Sequence, residues 1–556
     1  MSARTPARTP EHSSPRGVQV PKNYQERPLL ADGQRPVYHE PVNLRRLFRH
    51  RPFTRASGPA VIGLLVAALW PGGAAGYPYM ELRPGGLSLS GPTDGQLGAL
   101  HFNPAAIRLY PGSQVMAVAG ANGYLGSYQR STPLPAGFSP GSLTPTAAEP
   151  ASIGWVNPDA MAAASWDLRT DAVTLGFGFY TPHMDFSDFS GGQGRSSPNL
   201  ATLPTRYHLV SAQTYSLWGT VAVALRLRPW FYFGGAFNFA YVRSRQFFFR
   251  DLDPNVHDDF ACGGPAASCE QWESRIAIET DVANFGYGFS AGALFVPIED
   301  RLFIGLSYIS PLLTTRGDEV GLGGLPDRTT FQGTDGCGGS PLGARITRGD
   351  FAPSCGGALL SIAFPHLVYL GVRGRLPVYS WSRYAPTSVE LTGWARVTVP
   401  PRIGTELNLE RRIFPQGLLA LPLSLQPAVA VTFGVREHWR RLTLGEELLY
   451  ESPRTDPTAV SPANLEGHKL DFSFAMRLRV RRQLSLVMTV GATYVLFAPD
   501  PGTRYSPGDA QICRAADYDI SLVACQQTQN GWAVPQAPGS YQLVIAHGVA
   551  GFELNL

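Results

Sequence analysis

From about residue 113 onward the chain alternates apolar and polar side chains with a period of two. In FYFGGAFNFAY, Phe231, Phe233, Phe237, Phe239 and Tyr241 share one face, and Tyr232, Gly234, Ala236, Asn238 and Ala240 share the other. In KLDFSFAMRLRVRR, Leu470, Phe472, Phe474, Met476, Leu478 and Val480 alternate with Asp471, Ser473, Ala475, Arg477, Arg479 and Arg481. Such alternation marks strands with two unlike faces, and no long helical pattern interrupts it. Many runs exceed the five or six residues usual in soluble sheets. Short polar turns, such as RLRP (Arg226 to Pro229), PIED (Pro297 to Asp300) and REHWRR (Arg436 to Arg441), alternate with long loops. Long strands with short turns at one end and long loops at the other predict an all-β fold. Its expected form is a transmembrane antiparallel barrel with an apolar face toward lipid and a polar face toward the lumen.

The alternating runs begin near Ser113, Ser152, Ala172, Tyr207, Phe231, Ile276, Leu302, Ala358, Ser388, Ile403, Ala428, Leu442, Leu470 and Leu484, with Tyr541 opening a further one. The segments between Ser388 and Arg411 read as one strand interrupted at VPPR, which gives about 14 strands, an even number as single-chain barrels require. Glu446 and Glu447 are adjacent, so one of them must point outward unless it lies at the interface or in a bulge. The terminal run YQLVIAHGVAGFELNL alternates to its end and is expected to close the barrel and remove its edges.

Composition agrees with this picture. The 556 residues include 60 Gly and 48 Pro, 11% are aromatic and only 16% are charged. Mean hydropathy is −0.06, too low for a helical membrane protein. The net charge of +4 arises at the N-terminus: residues 1–75 hold eleven of the 46 basic and four of the 42 acidic residues, leaving 35 and 38, or −3. The remainder is therefore no candidate for nucleic-acid binding. Residues 1–42 read as a disordered, Pro- and Arg-rich extension, and a translation start near Val42 would remove it. In residues 43–76, five arginines precede the apolar run Pro59 to Trp70, followed by the small residues Gly73, Ala74, Ala75 and Gly76. A run this far short of the ~20 residues of a membrane span reads as a cleaved secretory signal. Six cysteines form three close pairs, Cys262 with Cys269, Cys337 with Cys355, and Cys513 with Cys525. Each pair lies in a loop-like segment, and none has metal-ligand spacing. Fifteen connectivities are possible. Pairing within each loop is the simplest, and it fits an oxidising compartment.

The stretch GALHFNPAAIRL, Gly98 to Leu109, forms neither a strand nor a long helix, yet it precedes the first alternating run. Its Asn103-Pro104-Ala105 step resembles the Asn-Pro-Ala motif of the FadL-type outer-membrane transport family. Other stretches resemble that family in order. ASIGWVNPDAMAAASW is similar to its second strand, LGFGFYTPH to its Gly-rich third, and ALRLRPWFYFGGAFNFAYVRSR to its fourth-to-fifth hairpin. IAFPHLVYLGVRGRL is similar to the eighth strand and LLYESPR to the eleventh. The resemblance implies that residues 77–112 are a hatch plugging a barrel formed by 113–556. It also implies that the third strand kinks, and that long-chain fatty acids or other hydrophobic compounds leave laterally through the kink into outer-membrane lipid. Gly176 and Gly178 are the expected kink residues, because glycine inside a strand often marks a bulge or a close approach. The plain alternative for Asn103-Pro104-Ala105 is an ordinary turn into the first strand.

Candidate chemistry is sparse. Arg226, Arg477 and Arg479 fall on expected lumen faces, where they would meet a ligand carboxylate or pair with acids such as Asp471. His547 also points inward and reads as a packing residue. No G-x-S-x-G, metal spacing or paired-carboxylate signature is present, so no enzyme, cofactor or metal is expected, and the chain reads as a monomer. Two other roles stand beside transport: a surface anchor or secretion accessory, and a barrel-type hydrolase.

Overall fold

The computed structural model describes residues 90–109, 112–130, 150–190, 203, 205, 209–251, 275–314, 358–361, 364–378, 386–400, 406–409, 418–420, 426–455, 460–462, 465–498 and 539–556. Among these, fourteen strands form one antiparallel barrel. They are β1 (Gln114–Arg130), β2 (Ala151–Trp166), β3 (Val173–Asp185), β4 (Ser211–Arg228), β5 (Phe231–Asp251), β6 (Arg275–Ile298) and β7 (Leu302–Ile309), then β8 (His366–Pro377), β9 (Ser388–Val399), β10 (Ala428–His438), β11 (Leu442–Glu451), β12 (His468–Arg479), β13 (Leu484–Leu496) and β14 (Gly539–Asn555). Each pairs with its neighbours in sequence, and β1 pairs with β14 from Gln114↔Asn555 to Arg130↔Gly539. Closure leaves no edge strand in the barrel, as burying a sheet in lipid requires.

The alternation decides which way each side chain points. On β5, Phe233, Phe237 and Phe239 are exposed while Ala236, Asn238 and Ala240 are buried. On β12, Phe472 is 56% exposed and Ser473 is fully buried. Exposed Phe177, Phe179, Val221, Phe285, Phe289, Leu391, Val431, Phe433, Leu448 and Tyr494 continue the apolar outer face around the wall. Glu446 is on this outer face and Glu447 is buried inside, in regular register with β10 and β12, so no bulge separates them.

All six connections at one end are short, from Pro229 and Trp230 between β4 and β5 to 378–387 between β8 and β9, while those at the other end are longer. The expected start of the eighth strand is too early: Ala358–Ser361 joins Glu406–Leu409 and Leu418–Ala420 in a separate three-stranded sheet, and β8 begins at His366. The expected single strand interrupted at VPPR does not run through: only Ser388–Val399 is a barrel strand, and Glu406–Leu409 lies in that separate sheet, so the two segments still add one strand to the barrel. A two-residue strand, Leu313–Thr314, pairs with β6 beyond the end of β7.

Candidate functional site

Residues 90–109 lie inside the barrel. They contain the single helical turn α1 (Ala99–Phe102) and a 3-10 helix (Pro104–Leu109), and nearly every side chain in both is buried. Leu97, Leu100, Phe102 and Ile107 belong to one apolar cluster with Trp218, Tyr369, Trp394 and Leu294 of the wall. At ~1.5–3 kcal/mol for each large apolar side chain removed from water, this packing is enough to seat a short segment with little helix of its own.

Asn103 is the corner between the two helical turns. Its Oδ1 accepts from the Ala105 N–H at 3.1 Å, as an N-cap does, and Pro104 follows at the position where a missing N–H costs nothing. Its Nδ2 donates to the Pro92 carbonyl at 2.8 Å and to the Ala293 carbonyl of β6 at 3.1 Å. Ser307 of β7 donates to the Phe102 carbonyl. Asn103-Pro104-Ala105 is therefore a corner docked on the wall, and the reading as an ordinary turn into β1 does not hold.

Small residues on the wall make room for it. A Cβ at Gly234 would meet the backbone of Pro104 and Ala105, and one at Gly292 would land on the Asn103 side chain. Gly176 and Gly178 belong to the same set. A Cβ at Gly176 would come within 2.5 Å of Leu100 and 2.8 Å of Ile107, and one at Gly178 within 3.2 Å of Leu100. Both glycines sit in an unbroken ladder, opposite Ser165 and Ala163 of β2 and Ala222 and Thr220 of β4. The expected kink is not at these residues. They are small because the interior segment presses on them.

The irregularity of β3 lies further along. The β3–β4 register shifts between Tyr180 and His183, around Pro182. The β2–β3 ladder runs from Trp166↔Leu175 to Met161↔Tyr180 and stops there, although β2 continues paired with β1 as far as Ala151. This part of β2, facing β3 without a ladder, is a seam in the wall. Just inside the barrel nearby, Trp155 packs edge-on against Phe189 at 5.3 Å and stacks on Tyr124 at 5.9 Å, in a second apolar cluster with Tyr128, Leu209, Leu465 and Tyr541.

Polar groups ring the interior. His101 of α1 lies 3.3 Å from Tyr180 Oη, and a chain continues through Thr220 and Asn238 to Ser290, crossing β3 to β6. Burial pushes the His101 imidazole down to about 3, with the nearby Arg396 charge adding to the shift. Toward the short-turn end, Arg436 pairs with Asp94 of the interior segment at 3.4 Å and with Glu390 at 3.6 Å. Toward the other end, Glu451 holds Arg396, Arg454 and Lys469.

The three expected ligand-binding arginines are not brought together. Arg226 lies 5.9 Å from the Tyr232 ring, Arg477 pairs with Glu553 at 2.7 Å, and Arg479 donates to the Arg440 carbonyl at the rim. Each lies within two residues of the short-turn end of its strand. Arg373, Arg396 and Arg436 are the buried arginines of the barrel strands, and their alternation resembles that of the others. Asp471 pairs with His547 at 2.8 Å, so His547 is a hydrogen-bonded residue more than a packing one. The expected disulfide pairs lie outside the described residues: Cys262 and Cys269 between β5 and β6, Cys337 and Cys355 between β7 and β8, and Cys513 and Cys525 between β13 and β14. All three connections are at the end opposite the short turns, the side on which long loops were expected. Residues 1–89 also lie outside the described residues.

No protein-family model matches the sequence, and neither does any curated protein. Solved structures do match. A FadL homologue from Pseudomonas aeruginosa superposes with a TM-score of 0.59 at 13% identity, covering 87% of this chain and 99% of the other. The toluene transporter TodX of Pseudomonas putida superposes with a TM-score of 0.51 at 12% identity, covering 83% and 94%. At such identities the likeness is one of architecture. The fold of this chain is that of the FadL homologue and of TodX, a closed barrel of fourteen antiparallel strands.

Proposed function

We propose that the protein is an outer-membrane channel for uptake of hydrophobic compounds, with long-chain fatty acids or similar molecules as cargo. In this reading residues 90–109 plug the lumen as a hatch, and cargo leaves laterally through the seam between β2 and β3. The observation that carries it is that seam, a place where the wall lacks main-chain pairing beside an apolar interior cluster. An apolar molecule crossing there passes from protein to hydrocarbon without entering water. The cleavable N-terminal signal, the loop disulfides and a monomeric state belong to the same proposal. Membrane-fraction protein should begin near Gly76 or Tyr77. Non-reducing peptide mapping should find only the local pairs, Cys262 with Cys269, Cys337 with Cys355 and Cys513 with Cys525, and a bridge between loops would refute that pairing.

Two observations bear on the rival roles. Asp471 accepts from Ser473 at 2.7 Å, Thr493 at 2.6 Å and His547, and Ser473 bonds to the carboxylate rather than to the imidazole. That order of contacts gives no activated nucleophile, which speaks against a hydrolase. The packed, ion-paired interior favours a surface anchor or secretion accessory, since no open passage is required of either. Uptake decides. Cells lacking their own hydrophobic-compound channels and expressing the protein should accumulate labelled oleate or toluene faster than controls. Correctly assembled barrel with no gain for either compound would leave the non-transporting role.

A further inference from the structure

The seam is not simply open. Where the β2–β3 ladder ends, three side chains take over from the backbone. The Ala160 N–H donates to Thr181 Oγ1 at 3.1 Å, and Thr181 Oγ1 donates to Asp159 Oδ1 at 3.2 Å. Five residues further along the chain, just past the end of β3, the Phe186 N–H donates to Asn157 Oδ1 at 2.9 Å. Asn157, Asp159 and Thr181 are all buried, with Asn157 at 0% exposure.

The sequence prevents the backbone from replacing them. The Ala160 N–H points toward β3, so with the two-residue period of a strand the N–H of position 158 would point the same way. That position is Pro158, which has none. On the facing strand Pro182 falls within the shift of the β3–β4 register. A proline in each strand keeps this stretch from zipping into a regular ladder. Side-chain hydrogen bonds then hold it in place of a ladder, and they can break without disturbing the ladders on either side.

We propose that Asn157, Asp159 and Thr181 form a side-chain latch across the seam, which opens to release an apolar molecule laterally and closes behind it. This rests on the channel reading and adds to it the residues that control the exit. The latch keeps the wall sealed at rest. Opening exposes the Asn157 and Asp159 groups only while cargo passes, and the apolar side chains of Trp155 and Phe189 stand next to the route on the inner side.

Thr181→Val tests it, since valine keeps the branched shape and removes the hydroxyl that bridges Ala160 and Asp159. Thr181→Ser keeps the hydroxyl and serves as rescue, and heat-modifiable mobility checks that each variant assembles. In full-length protein reconstituted in lipid, amide exchange at Ala160 and Phe186 should speed up in Thr181→Val while β1 is unaffected. Loss of one net hydrogen bond should raise the rate of labelled oleate or toluene uptake roughly three- to tenfold, with Thr181→Ser near wild type. Unchanged exchange at Ala160 and Phe186 would overturn the latch. So would faster exchange with unchanged uptake in a protein that transports. If the wild type carries neither compound, the channel reading fails, and local exchange alone then decides whether the seam opens.

Discussion

His101 and Asn103 show how much of the interior segment depends on single side chains. His101 is fully buried and its pKa is lowered to about 3. An imidazole released from this site returns to about 6.5, so between pH 6.5 and 3 the displaced state binds the proton that the seated state excludes. Seating is therefore at full strength above about pH 6.5 and weakens as pH falls toward 3, by up to about 1.4 kcal/mol per unit from this residue. Protease cleavage within residues 90–109, followed from pH 7 to 4, should rise in the wild type and rise less in His101→Phe. Equal slopes in the two proteins would remove His101 as the cause. Asn103→Ala takes a different route. It strips donors from the Pro92 and Ala293 carbonyls and the acceptor from Ala105. Leaving such buried groups unpaired costs about 1–3 kcal/mol each, so the same cleavage should increase at every pH. Asn103→Ala cleaved no faster than the wild type would mean that apolar packing alone seats the segment.

At the scale of elements, β3 joins two tasks that its sequence expresses as one Gly-rich run. LGFGFYTPH suggests a kink at Gly176 and Gly178, but glycine reports either a bend or a close neighbour, and only the neighbour decides which. Leu100 and Ile107, some seventy residues earlier in the chain, are those neighbours. The register shift of β3 falls at Pro182, whose missing N–H is equally visible in the sequence. Gly176→Val should consequently leave the β2–β3–β4 ladder intact and push the interior segment off the wall. In planar bilayers this variant should conduct more current than the wild type. Gly154→Val is the control: its Cβ meets nothing within 4 Å, and its conductance should not change. A silent Gly176→Val would mean that the segment yields without leaving its seat. The strands themselves are legible because a period of two needs only nearby residues. The site is less so, because the partners of Asp94, Arg396 and Asp471 lie on other strands at depths that alternation does not encode.

For the whole molecule, one barrel wall must satisfy two solvents, and the outer face carries the stricter demand. Val221, Phe237 and Phe289 lie abreast on adjacent strands of that face. Phe237 is the seventh of the 21 residues of β5, counted from the short-turn end. With strands tilted by about 40° and rising ~3.3 Å per residue, that places it about 15 Å above the turn, inside an apolar band roughly 25 Å tall. Phe237→Arg should therefore lower folding stability by about 2–4 kcal/mol, measured by urea titration in lipid vesicles. Asn238→Ala, on the inner face next door, should act instead through its bonds to Thr220 and Ser290. Glu446 already places a carboxylate outward, five residues into β11 from its turn, or about 10 Å above it on the same estimate. A carboxylate costs less than an arginine and less again near the interface, so Glu446→Leu should stabilise the barrel by about 1 kcal/mol or a little more. If Phe237→Arg were neutral and Glu446→Leu destabilising, the apolar face of these strands would not be the one that meets lipid.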